Sequence, residues 1–154
     1  MKRFRPIHGL LFVPVFVVGV FLLAGGFGLA KHQRVTPDRD GVVRIDVSDL
    51  ERSQVRYYRF LNRGNQEVKF LVGRDRHGVV QVGFDASESH ARVGRGFRHD
   101  GDWVVDDKCD TASRLEEVNR GGGGCRPVPL EHRVEGDQLV LLEQDILRGW
   151  RLFN

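Results

Sequence analysis

The sequence predicts a mainly β protein, in which a single N-terminal transmembrane helix precedes a small antiparallel β-sandwich or barrel domain. Three observations support this fold class. Residues 9–30 form an uninterrupted run of 22 residues without a charge. Beyond that run, apolar residues recur with period two, which is typical of strands, and not with the helical period of 3.6. Asp-Gly and Gly-Asp pairs separate several of the β-prone runs, as in hairpin turns.

Residues 1–30 are predicted to be a membrane anchor. Twenty-two residues at a rise of 1.5 Å make roughly 33 Å, enough to cross a hydrocarbon core of about 30 Å. The apolar region of a cleaved secretory signal is usually about 7–15 residues long, so an uncleaved anchor is favoured and cleavage is the alternative. Short N-terminal tails mostly stay inside, which places the domain outside the cytoplasm, in the periplasm. His32 is then interpreted as a residue of the membrane interface.

The soluble part of the chain is electrically neutral. Lys2, Arg3 and Arg5 supply the whole formal charge of +3, and residues 31–154 contain 21 Lys+Arg against 21 Asp+Glu. Because the signs are interspersed, the domain offers no basic surface, and nucleic acid is not expected as a partner. Two cysteines are also too few for a disulfide-rich scaffold.

Residues 31–40 are predicted to be a linker, residues 41–143 a β domain, and residues 144–154 a C-terminal tail. Seven or eight strands are expected in the domain. The clearest β-prone runs are residues 42–47, 55–60, 67–72, 79–84, 103–105 and 138–142. Residues 111–118 are expected to form a helical turn or two, and the apolar residues 146–153 to lie on the core or on the membrane surface.

Three predicted loops carry candidate ligands. Ser87 and His90 follow one strand, Asp106 and Cys109 follow another, and Cys125 follows four glycines. Ligand pairs three residues apart on two facing loops are one way in which small β domains hold a metal ion or a cluster. The residue types alone do not identify the site.

These motifs resemble those of the FtrD-like family of membrane iron–sulfur proteins over residues 41–142. That family combines a membrane anchor with two strand-following Cys-x-x-Cys loops and a Gly-Gly-Cys-Asn-Pro-x-Pro-Leu segment. The plan of two ligand loops is also similar to Rieske-type domains. The matching segments here are Phe84-Asp85-Ala86, Gly101-Asp102 before Val104-Val105, Gly123-Gly124-Cys125-Arg126-Pro127-Val128-Pro129-Leu130, and Glu135-Gly136-Asp137-Gln138-Leu139-Val140.

The resemblance implies five cysteines, of which this chain keeps only Cys109 and Cys125. Ser87, His90 and Asp106 stand at the other three positions. Neither a four-thiolate cluster nor the Rieske set of two cysteines and two histidines is therefore available. Two outcomes remain open. Either His90, Asp106, Cys109 and Cys125 hold one zinc, copper or iron ion, or a non-standard iron–sulfur cluster. Or the site holds no cofactor, and Cys109 and Cys125 form a disulfide.

The anchor, the retained motifs and the lost thiols together favour an accessory or structural subunit of a membrane redox or metal-transport assembly. Its partners would be integral membrane proteins. The alternative is an active metal-binding or electron-transfer protein that uses the mixed His/Asp/Cys site. An enzyme is the least favoured class, because the spacing provides no acid–base or nucleophilic pair.

Overall fold

The β-prone runs of the sequence become the long strands of the computed structural model, which describes residues 31–154. The predicted anchor at residues 1–30 lies outside the described residues. Within residues 31–154, no helix has the length and apolar character needed to cross a membrane. The fold is mainly β, as predicted, and most of its strand pairs are antiparallel.

The described residues contain ten strands and three short helices. The strands are β1 (His32–Val35), β2 (Val42–Asp46), β3 (Gln54–Leu61), β4 (Glu67–Arg74), β5 (Val80–Phe84), β6 (Phe97–Asp100), β7 (Trp103–Asp106), β8 (Ala112–Arg114), β9 (Arg133–Glu135) and β10 (Gln138–Leu142). A 3₁₀ helix, Leu115–Arg120, follows β8. The α-helix α1 (Glu143–Arg148) follows β10 and continues into a second 3₁₀ helix, Gly149–Leu152.

The strands form three sheets. The central sheet has the order β1-β3-β4-β5, the second sheet β2-β10-β9, and the third sheet β6-β7-β8. One pair, β1 with β3, is parallel, and the other pairs within these sheets are antiparallel. Nine of the ten strands lie within residues 41–143, where seven or eight were expected, because the short strands β6, β8 and β9 have too few apolar residues to show period two.

Both faces of the central sheet are buried, because alternate side chains of a strand point to opposite faces. In β3, Tyr58 and Phe60 pack with residues of β2 and β10 in the larger apolar cluster. Val55 and Tyr57 of the same strand face the other way, toward a second cluster that includes Phe97 of the third sheet. All five residues of β5 are buried. The central sheet is thus covered by the second sheet on one face and by the third sheet and the first 3₁₀ helix on the other.

The predicted tail, and the predicted linker from residue 32 on, are part of the compact unit His32–Asn154. The segment predicted as a linker begins with β1, which pairs with β3 from His32 opposite Tyr57 to Val35 opposite Phe60. The predicted tail forms α1 and the second 3₁₀ helix, and Ile146 is fully buried in the larger apolar cluster. Of the two placements expected for the apolar C-terminal residues, the structure shows the one on the core.

The segment expected to form a helical turn divides into two elements. Ala112–Arg114 extends the third sheet as β8, and the helical turn begins only at Leu115. Leu115 and Val118 are buried against the central sheet, whereas Glu116 and Glu117 lie in the first turn of the helix. The 3₁₀ helix carries the chain from the third sheet to the glycine loop that ends at Cys125.

Candidate functional site

Asp106, the last residue of β7, has the most firmly held side chain of the candidate site. Its side chain is buried, and its Oδ1 accepts hydrogen bonds from the backbone N–H groups of Lys108 at 2.8 Å and Cys109 at 3.1 Å. Burial opposes ionisation of this carboxyl, but the hydrogen bonds from these two N–H groups, from Ser87 and from His90 together outweigh it, so the pKa of Asp106 lies below its ordinary value. An ionised carboxylate is therefore held in place before any ligand arrives.

The other carboxylate oxygen of Asp106 faces the loop that follows β5. Ser87 Oγ donates a hydrogen bond to Asp106 Oδ2 at 3.0 Å, and both side chains are buried. His90 Nδ1 lies 3.5 Å from the same oxygen. The first loop thus approaches the second through one carboxylate oxygen, with Ser87 acting as a hydrogen-bond donor to it.

Cys109 and Cys125 are joined in a disulfide, with their Cα atoms 6.8 Å apart. The bond connects the turn between β7 and β8 to the glycine loop, across a sequence separation of 16 residues. Cys125 Sγ also lies 3.8 Å from His90 Nδ1. One ring nitrogen of His90, Nδ1, therefore faces both a sulfur atom and a carboxylate oxygen.

Backbone hydrogen bonds hold the first loop against the glycine loop. The N–H of Ser89 donates to the carbonyl of Gly124, and the N–H of Val128 donates to the carbonyl of Ala86. The glycine at position 83 in β5 allows this segment to approach, because a Cβ there would lie 3.1 Å from Pro127 Cβ and 3.2 Å from the carbonyl oxygen of Val128. The sheet edge thereby brings Cys125 to the two ligand loops.

The four candidate ligands converge. One donor atom from each of His90, Asp106, Cys109 and Cys125 lies within 4.8 Å of the others. Asp106 is buried, and the other three side chains are partly exposed, so the cluster has contact with solvent. Metal binding by these four residues stays a prediction. Ser87, which stands at a further position where the resemblance implies cysteine, supports Asp106 through its hydroxyl group.

A second buried side chain, Asp85, lies beside the site. Asp85 Oδ1 accepts a hydrogen bond from the N–H of Phe97 at 2.7 Å, and Oδ2 lies 2.7 Å from His32 Nε2. His32 was interpreted as an interfacial residue, but in the structure it lies against Asp85 and the ring of Tyr57. The two partners are 53 residues apart, and no local pattern in the sequence indicates such a contact.

The donor set does not fit a conventional iron–sulfur cluster. The site offers two sulfur atoms that are bonded to each other, one imidazole and one carboxylate. Four thiolates, or two thiolates with two imidazoles, hold the common clusters. One imidazole, one carboxylate and two thiols match a four-coordinate ion such as Zn²⁺, once the disulfide is open.

Comparison with known proteins gives one family. The model of a family described as membrane iron–sulfur containing, FtrD-like proteins matches residues 50–153. This range includes all four candidate ligands and both loops. No curated protein and no solved structure matches the chain significantly.

Proposed function

Since the chain belongs to the FtrD-like family of membrane iron–sulfur-containing proteins, we propose that it is an accessory or structural subunit of a membrane redox or metal-transport assembly. The observation that carries this proposal is the disulfide between Cys109 and Cys125, the two cysteines that remain of the five implied by the family resemblance. Bonded to each other, the two sulfur atoms cross-link the glycine loop to the third sheet and cannot act as cluster thiolates. The domain keeps the family scaffold and offers its surface to a partner.

The location follows from two arguments. Residues 1–30 act as a single-pass anchor because their uncharged run is long enough to cross the membrane. The domain lies outside the cytoplasm, in the periplasm, because disulfides persist in oxidising compartments and are rare in the cytosol. Protease added outside sealed right-side-out vesicles should digest the domain. Digestion only after the vesicles are opened would place the domain in the cytoplasm.

Purification of the full chain from its own membranes in mild detergent tests the subunit role. We expect it to elute in a complex with integral membrane proteins, without the visible absorption of an iron–sulfur cluster. Alkylation should modify no cysteine before reduction and two after it, because both cysteines are in the disulfide. A chain that elutes only as a monomer would contradict the subunit role.

A second candidate function rests on a different observation, the convergence of four donor atoms within 4.8 Å. In this alternative, His90, Asp106, Cys109 and Cys125 hold one zinc, copper or iron ion, and the protein binds metal or transfers electrons itself. Metal analysis of the purified chain, after reduction of the disulfide and incubation with these metals, distinguishes the two. One ion per chain that is lost in Cys109→Ser supports the alternative, and a metal-free chain supports the accessory role.

A further inference from the structure

The same four side chains have two mutually exclusive uses. Cys109 and Cys125 are bonded to each other, yet each also lies within 4.8 Å of His90 and Asp106 donor atoms. A sulfur atom in a disulfide is a poor metal ligand, because the thiolate is the form that binds. The disulfide therefore closes the site, and its reduction supplies the two missing ligands.

We propose that the Cys109–Cys125 pair is a redox switch that controls a mononuclear zinc site made with His90 and Asp106. This inference rests on the second candidate function and adds the condition under which the site is filled. The reductant that opens the disulfide is a dithiol.

The distances already present match those of a zinc site. Zinc lies about 2.0–2.3 Å from nitrogen, oxygen and sulfur ligands, so neighbouring ligands of a tetrahedral ion are roughly 3.3–3.8 Å apart. The distance from His90 Nδ1 to Asp106 Oδ2 is 3.5 Å, and that from His90 Nδ1 to Cys125 Sγ is 3.8 Å. Two edges of the tetrahedron are thus formed. All four donor atoms lie within 4.8 Å of one another, so the movements that complete the site are small and include separation of the two sulfur atoms after reduction.

The carboxylate ligand is oriented in advance. Asp106 Oδ1 accepts two backbone N–H groups, which leaves Oδ2 directed at His90 and Ser87. Hydrogen bonds of this kind fix a ligand and typically change metal affinity by about 10–100-fold when they are removed. His90 would bind through Nδ1, the nitrogen that faces both Asp106 and Cys125, and carry its proton on Nε2.

Reduction of the Cys109–Cys125 disulfide by a dithiol is a two-electron reaction. A dithiol attacks the disulfide through its thiolate, forms a mixed disulfide, and leaves as its own disulfide after the second thiol attacks. Cys109 and Cys125 each gain one electron and one proton. Zinc then binds the two thiolates, His90 and Asp106, and two protons are released. A disulfide oxidant reverses the sequence, because the sulfur atoms bond to each other again and the ion dissociates.

The test compares the two redox forms of the same protein. Untagged full chain in detergent is divided into oxidised and phosphine-reduced samples, the reductant is removed without oxygen, and each is titrated with Co²⁺ and then Zn²⁺. The reduced form is expected to bind one Co²⁺ per chain with a thiolate-to-cobalt absorption band, which Zn²⁺ removes. The oxidised form should bind at least about 100-fold more weakly, since it lacks both thiolates. Adding a disulfide oxidant should release the ion.

Variants assign the binding to these residues. Cys109→Ser should weaken binding, reduce the thiolate band to that of one sulfur ligand and remove the dependence on redox state. Asp106→Asn should also weaken binding, whereas Asp110→Asn in the same turn should leave it unchanged. Ser87→Ala keeps all four donor atoms and should weaken binding by about 10–100-fold. This last variant tests the site even if Asp106→Asn fails to fold.

Two results would overturn the proposal in different ways. Equal affinity of the two redox forms would remove the switch and leave a metal site elsewhere. Absence of stoichiometric binding by the reduced chain would remove both the switch and the second candidate function. The accessory role is decided separately, by whether the chain elutes with membrane partners.

Discussion

At the scale of single residues, two buried carboxylates organise the region around the site. Asp85 follows β5 and accepts a hydrogen bond from the backbone N–H of Phe97 at the start of β6. Asp106 ends β7 and accepts two backbone N–H groups from the turn that directly follows it. Phe97, whose N–H bonds to Asp85, is also the residue paired with Asp106 across the third sheet. These side chains thus connect the end of the central sheet to the beginning of the third.

Removing the Asp85 carboxylate should destabilise the domain. In Asp85→Ala, the buried bond from the Phe97 N–H and the contact with His32 are both lost. Loss of the acceptor of a buried N–H group costs about 1–3 kcal/mol in the free energy of unfolding. Urea unfolding measures the change. Asp40→Ala, at an exposed position, is the control and should change stability by less than about 0.5 kcal/mol. Equal effects in both variants would contradict the role given to Asp85.

The two tyrosines predict a loss of stability at alkaline pH. Tyr57 and Tyr58 are the only tyrosines in the sequence, and burial raises the pKa of each phenol, strongly for Tyr57. Below pH about 10, both are neutral in the folded and unfolded states. Above it, the unfolded phenols ionise first, so the free energy of unfolding falls by up to about 1.4 kcal/mol per pH unit for each tyrosine until the folded pKa is reached.

Urea unfolding between pH 8 and 11 measures this fall. Tyr57→Phe should reduce its slope, because the variant lacks one titrating phenol, and Tyr58→Phe should reduce it less. Absorbance of the tyrosinate form, followed in the folded protein, should show both phenols titrating above their ordinary range. An unchanged slope in Tyr57→Phe would show that this phenol ionises equally easily in both states.

At the scale of elements, the sequence predicts the strands that carry the core. The predicted runs at residues 55–60 and 67–72 correspond to β3 and β4, whose alternate side chains are buried on a sheet face. The strands β1, β6, β8 and β9 were missed because each has only three or four residues, most of them polar or exposed. They exist through pairing with longer strands, which is a tertiary effect that local pattern does not contain.

In the ligand loops, too, local pattern predicts some features and tertiary contacts determine the others. The pattern of the chain predicts that Asp106 and Cys109 follow a strand. The family motif that contains Cys125 predicts that this residue belongs to the same site. The partnership of Ser87 with Asp106, and of His32 with Asp85, could not be predicted, because these pairs are 19 and 53 residues apart and depend on the tertiary packing of the chain.

A larger side chain at position 83 of β5 should disturb the packing around this strand. A Cβ at this position would lie 2.8 Å from Val118 and 3.1 Å from Pro127. Gly83→Ala should therefore push the 3₁₀ helix and the segment at Pro127 away from the sheet, at a cost of about 1–3 kcal/mol. Thermal unfolding measures it. Gly64→Ala is the matched control, since a Cβ there would contact only the side chain of Asn62 in an exposed turn. A cost in both variants would point to backbone entropy and not to packing.

At the scale of the whole molecule, the disulfide links parts of the fold that separate on unfolding. It closes a loop over a sequence separation of 16 residues, for which the chain-entropy model gives about 3 kcal/mol. Reduction of the full chain, or the double substitution Cys109→Ser with Cys125→Ser, should lower the free energy of unfolding by about this amount. Urea titrations with and without reductant measure it.

The double substitution also provides the control for this prediction. Reductant should have no effect on the substituted chain, because both of the cysteines in the sequence have been removed. If reductant lowered the stability of that variant as well, the loss would have to arise from another effect on the protein.

The position of β4 has a consequence for isotope exchange. β4 is paired with β3 on one side and β5 on the other, and Phe70, Leu71 and Val72 are completely buried between the two apolar clusters. Deuterium can reach these amides only when neighbouring sheets part, which is nearly the same event as unfolding of the domain. Their exchange rates should therefore report the global stability of the protein, whereas the amides of the exposed strand β9 should exchange through local opening long before.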